Sequence, residues 1–136
     1  MRTCVRVRRP LAMTSEGRPY ARFRRALDGS SIELIRSAAS ELERIALADG
    51  LAICLAFLEL EPATYPRAAT RWVARLALEH RLTLAESQLA LAALGALDGA
   101  TARAGAEALI ELCTSHGLSR GEAVVGAWLG RRGLAD

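Results

Sequence analysis

Residues 47–58 read LADGLAICLAFL, and the chain writes that phrase twice more, as LAESQLALAALG at 84–95 and LSRGEAVVGAWL at 118–129. Each copy opens on Leu, then Ala or Ser, a charged residue, and Gly or Ser. Each has Ala followed by a large apolar residue just before its end. The copies start 37 and 34 residues apart, the spacing of helical-hairpin repeats. None contains the alternation of a strand; all three read as helices apolar on most of their circumference.

Working outward, each copy is preceded by a more amphipathic stretch. Residues 30–44 place Ile32, Ile35, Ala39 and Leu42 on one stripe, and Ser30 with Glu33 forms an S-x-x-E capping box at its start. Residues 64–80 bury Ala69, Trp72, Val73 and Leu76, and Pro62 separates this helix from the apolar one before it. Residues 100–116 form the third, with Gly117 placed to end it. Capping boxes at Thr83/Glu86 and Ser119/Glu122 precede the second and third apolar helices. Ala26-Leu27-Asp28-Gly29 matches Ala96-Leu97-Asp98-Gly99, and at the same offset Ala38, Glu41 and Leu42 fall on Ala108, Glu111 and Leu112. The expected unit is therefore an amphipathic helix A, a turn and an apolar helix B. The expected fold is all-α: about seven helices, as three stacked antiparallel hairpins in a short α-α superhelix or solenoid behind a short N-terminal helix.

Composition agrees. The chain is 51% hydrophobic but only 4% aromatic, and Ala and Leu favour helix over strand. At 136 residues it is long enough to bury a core. A single helical domain is expected over residues 19–136, preceded by a disordered basic arm at 1–18. Met13 opens MTSEGRPYARF, which reads like a bacterial start, so the first twelve residues are also legible as an upstream extension.

Every one of the 18 basic residues is Arg, as coding bias in a GC-rich genome produces. Eight of them stand in residues 1–25 against the single acid Glu16, so the net charge of +3 belongs to the arm and the body is mildly acidic. Cys4, Cys54 and Cys113 have no C-x-x-C spacing and suit a reducing, cytoplasmic setting. The longest uncharged run, residues 87–97, is too short to span a bilayer, and no membrane association is expected.

The stretch YARFRRALDG at 20–29, with ATRWVARL at 69–76, resembles small all-helical proteins of unknown function from GC-rich bacteria. The hairpin period is similar to tetratricopeptide and HEAT repeats, although neither signature is present. The resemblance implies a helical fold and nothing about activity.

No catalytic constellation is legible, and an enzyme is not expected. His80 and His116 both fall at helix C-termini, where a partial positive charge is favourable. Cys113 and His116 have C-x-x-H spacing without a second pair to complete a zinc site. The carboxylate pair Glu107/Glu111 shares a helical face without the E-x-x-H of a di-iron bundle. No glycine motif for a nucleotide is present, so no cofactor is expected. A helix-turn-helix over 118–134 is excluded because no recognition helix follows. The surface signal is a row, Arg67, Arg71 and Arg75, at i, i+4 and i+8. With Arg22, Arg24 and Arg25 it is a candidate basic surface. Two expectations result. One is a non-enzymatic scaffold that binds a protein partner or itself through a groove between A helices. The alternative is a nucleic-acid accessory protein using the arm and the Arg row.

Overall fold

The computed structural model describes residues 17–135, and these are helices joined by turns and short irregular segments, with no strand among them. The basic arm falls outside the described residues except for Gly17 and Arg18, which are helical, and Met13 lies outside them too. The chain divides into two compact units, Met1–Ile45 and Ala46–Asp136.

The first unit holds α1, helical over 17–27, and α2, Ile32–Ser40. Phe23 is fully buried, while Tyr20 stacks obliquely on it from a more exposed position. Ile35 and Ala38 are the buried residues of α2. Its N-cap is Ser31, whose hydroxyl accepts from the Leu34 amide, so the capping serine lies one place later than the expected Ser30. The helix also stops at Ser40 and does not reach Arg44. Near its end the Ser40 hydroxyl donates to the Ser37 carbonyl, a local bond that competes with continued helix. Glu41 beyond it forms an ion pair with Arg22 of α1.

The second unit holds five helices: α3 Leu47–Leu60, α4 Tyr65–His80, α5 Leu84–Ala96, α6 Ala102–Ser115 and α7 Ser119–Arg131. A 3-10 turn, Pro62–Thr64, links α3 to α4 where Pro62 breaks the helix. Leu51, Cys54, Leu55, Phe57 and Leu58 are all buried in α3, as a helix apolar all round requires. Leu55, at 2% exposure, sits at its centre.

The packing runs α3 on α4, α4 on α5, α5 on α6, α6 on α7, and then α7 back on α3. Open stacked hairpins would set α5 against both α3 and α7. Neither contact forms, and the helices close into a ring. Trp72 of α4 donates its indole N–H to the Leu47 carbonyl of α3 at 2.8 Å. Tyr65 donates to the Leu94 carbonyl of α5 at 2.8 Å. The Tyr65 bond ties the start of α4 to the end of α5, and along α3 Leu47 meets Trp72 while Cys54 meets Ala68, so each pair is antiparallel.

The closing pair is different. Asp49 at the start of α3 meets Arg120 at the start of α7 at 3.1 Å. At the other end Glu59 accepts from Trp128 at 3.3 Å and forms an ion pair with Arg132. Helices α3 and α7 are therefore parallel, which an odd-numbered ring demands.

Two turns are built alike. After α6, Gly117 adopts φ +72°, and the Leu118 amide reaches back to the Cys113 carbonyl at 2.8 Å. After α4, Arg81 takes φ 52°, and Leu82 reaches back to Ala77 at 3.1 Å. Both are left-handed caps closed by a six-to-one bond. The Thr83/Glu86 capping box then forms in full, with bonds of 2.9 and 3.1 Å. The Ser119/Glu122 box does not. Ser119 is already the first helical residue, and no side chain caps α7, because the preceding turn closes one residue earlier and takes Leu118 to the cap position.

Candidate interaction surface

The second copy of the repeated phrase, α5, is apolar nearly all round, yet among the helices of this unit it packs only on α4 and α6. Ala90, Ala93 and Leu94 are buried, and Leu97 at its C-cap is fully so. The seam with α6 is tight because it is made of small residues. A methyl placed on Gly105 would stand 2.6 Å from the Ala93 carbonyl oxygen and 2.8 Å from the Ala96 methyl.

The other side of α5 faces outward. Leu84, Gln88, Leu91 and Gly95 follow one another at i, i+4, i+7 and i+11, with Ala85, Leu89 and Ala92 beside them, and all are exposed. Leu84 is 77% exposed, Leu89 44% and Leu91 45%, while Leu78 near the end of α4 reaches 83%. Scattered exposed leucines are ordinary; a contiguous uncharged helix face is not. A helix apolar on most of its circumference calls for cover on most sides, but within this unit two helices cover α5. The two A helices of this unit, α4 and α6, do not touch each other, and both pack on α5.

The N-terminal end of α5 gathers the ionisable groups. Glu86 holds the Thr83 amide through one oxygen and His116 Nε2 through the other at 2.9 Å. His80 stands edge-on to His116, with ring centroids 6.0 Å apart. The bond from the Thr83 backbone, then the bond from His116, holds the Glu86 carboxyl below its ordinary value. His80 and His116 do end α4 and α6, as read from sequence. Their convergence was missed, although both begin the same phrase: His80-Arg81-Leu82-Thr83 and His116-Gly117-Leu118-Ser119. The trio pins α5 between the ends of α4 and α6. No group of three His, Cys, Asp or Glu side chains among the described residues is arranged to hold a metal ion. Cys54 and Cys113 are buried free thiols whose titration burial pushes up to about 12 and about 11, respectively.

The arginines of the candidate basic surface are divided between the two units. Arg22 and Arg25 lie on α1 in the first unit, and Arg22 is engaged by Glu41. Arg67, Arg71 and Arg75 lie along α4 in the second. Arg75 is held by Glu79 at 2.7 Å. Arg67 and Arg71 are exposed and make no ion pair among the described residues.

No described helix is long and apolar enough to cross a membrane. No family model, curated protein or solved structure matches the chain.

Proposed function

We propose that the chain is a non-enzymatic helical module that binds protein through the outward face of α5, working in the cytoplasm of a bacterium. The observation that supports this most strongly is the uncharged run of Leu84, Gln88, Leu91 and Gly95 with Ala85, Leu89 and Ala92, left exposed on a helix whose opposite side is firmly packed. Apolar anchors spaced at i, i+4 and i+7 on a rigid helix are what a partner helix or groove engages.

The test is binding of amphipathic helical peptides to the intact protein, read by fluorescence anisotropy, with and without Leu91→Asp. Leu91 is exposed, so the substitution leaves the fold intact, which circular dichroism checks. Binding lost at least tenfold in the variant supports the reading; binding that ignores Leu91→Asp overturns it.

A second reading is favoured by a different observation, the two unengaged arginines Arg67 and Arg71. In it α4 meets nucleic-acid phosphates. Affinity would then fall steeply with salt, and Arg67→Glu with Arg71→Glu would flatten that dependence.

A further inference from the structure

We infer that the turn pairs Asp28-Gly29 and Asp98-Gly99 are sites of spontaneous covalent modification, at which the chain converts to isoaspartate, and that the fold withholds the same reaction from Asp49-Gly50. The inference is independent of what α5 binds. Of the four Asp residues three are followed by Gly, and the chain contains no Asn, so Asp is the one source of isoaspartate in it.

The reaction needs no partner. The Gly amide nitrogen attacks the Asp side-chain carbon Cγ, an N–Cγ bond forms, and one carboxyl oxygen leaves as water with the amide hydrogen and a proton. The product is a five-membered succinimide ring. Water then adds to one of its two carbonyls. Addition at Cγ restores Asp. Addition at the former main-chain carbonyl leaves that carbon as a free carboxylate and runs the chain through Cβ and Cγ. Mass and charge return to their starting values, but the main chain is one carbon longer. Three things govern the rate. The carboxyl must be free to swing, the amide must be released from its hydrogen bond, and the Asp backbone must leave the helical ψ of about −42°. Gly, with no Cβ, leaves its nitrogen unshielded.

The fold separates the pairs. Asp49 is buried in the first turn of α3, with a carboxylate oxygen on Arg120 at 3.1 Å. The Gly50 amide donates to the Ala46 carbonyl at 2.8 Å, and Trp72 stands 3.3 Å from where a Gly50 methyl would be. Opening that pair unwinds a helix at its contact with α7. Asp98, by contrast, is exposed and carries no ion pair or side-chain hydrogen bond among the described residues. It lies in the turn at 97–101 between α5 and α6. The Gly99 amide is held by the Ala96 carbonyl at 3.2 Å, and nothing lies within 4 Å of a methyl on Gly99. Asp28 is likewise exposed, at the end of α1, with the Gly29 amide on the Ala26 carbonyl at 3.0 Å. Bonds at helix ends open at almost no cost, whereas those in a core open only with the whole unit.

The consequence falls on α5. Leu97 anchors one side of the 97–101 turn by full burial. On the other side Gly105 packs so closely on Ala93 and Ala96 that a methyl there would overlap them. An added main-chain carbon between these two fixed points shifts one helix against the other, so isoaspartate at 98 loosens the seam of α5 with α6.

The test incubates the full chain at neutral pH and physiological temperature, both native and in denaturant. Isoaspartate is read at each pair by peptide mapping with electron-transfer fragmentation, which distinguishes the two linkages. The denatured chain should convert at all three pairs. The native chain should convert at 28 and 98 at least fivefold faster than at 49. A turn pair that stays aspartate in the native chain, after the same pair has converted in denaturant, overturns its assignment. Conversion at 49 as fast as at 98 overturns the protection. Gly99→Ala, at an open position, should slow conversion at 98 at least fivefold and leave 28 unchanged. The incubated parent should melt further below its fresh sample than incubated Gly99→Ala does below its own. Equal losses would overturn the link between position 98 and the seam of α5 with α6.

Discussion

Gly105 and Arg81 are the residues whose backbone surroundings decide most. At Gly105 two effects oppose. Alanine in a helix interior gains about 1 kcal/mol over glycine, but here its methyl would sit 2.6 Å from the Ala93 carbonyl oxygen, a backbone atom that moves only with α5. Overpacking of that kind costs about 1–3 kcal/mol, so Gly105→Ala should lower the melting temperature. Gly126→Ala is the control, since nothing lies within 4 Å of a methyl there, and it should raise it. Arg81 is the reverse case. It is the one non-glycine at positive φ among the described residues, in the place that Gly117 fills in the matching turn. A side chain in the left-handed region is disfavoured by about 1 kcal/mol, so Arg81→Gly should stabilise by up to that amount. A thermal melt unchanged or lowered by the substitution would mean that the arginine side chain contributes more than its backbone strain removes.

At the scale of elements, the helices were largely legible and their environments were not. The apolar run of α3, the proline stop after it, the Thr83/Glu86 box and the glycine ending α6 all stand where short-range chemistry puts them, because each depends on neighbours a few residues apart. Ser30 and Ser119 failed as caps for the same kind of reason. A neighbouring serine in one case, and a turn closing a residue early in the other, changed which backbone amides were left to satisfy. The outward face of α5 was beyond reach of the sequence, because burial depends on how many helices arrive and not on how apolar a helix is. The junction of His80, Glu86 and His116 was equally hidden, since 30 residues separate Glu86 from its partner. That junction has a pH signature. The carboxyl of Glu86 titrates below its ordinary value of 4.5 in the folded chain. Its contribution is therefore fully present above that value and is lost as pH falls through the lower folded value. Denaturant melts between pH 5 and pH 3 should show the parent weakening more than Glu86→Gln, whose side chain carries no such proton linkage. Equal slopes would show that the carboxylate is not coupled to folding.

For the five-helix unit as a whole, closure changes what a single deletion does. In an open superhelix each hairpin touches only its neighbours, so damage to the last helix frays that end and leaves the rest standing. Here α7 packs on α6 and also seals α3, and the charged third residues of the first and third phrases, Asp49 and Arg120, meet across that seal. Trp128, 1% exposed, fills it, with Glu59 on its indole N–H and Arg132 over its ring at 5.0 Å. Trp128→Ala removes about 3–5 kcal/mol from a unit whose whole stability is expected near 5–15 kcal/mol. Because α3 loses its cover along with α7, and α3 supports α4, the loss should spread around the ring. Hydrogen exchange is the measurement that separates the two architectures. In the closed ring, amide protection in Trp128→Ala falls together in all five helices, α4 and α5 included. Protection that fell only in α6 and α7 would mean that the contact of α7 with α3 carries little of the stability, and that the unit behaves energetically as the open stack that its repeating phrases first suggest.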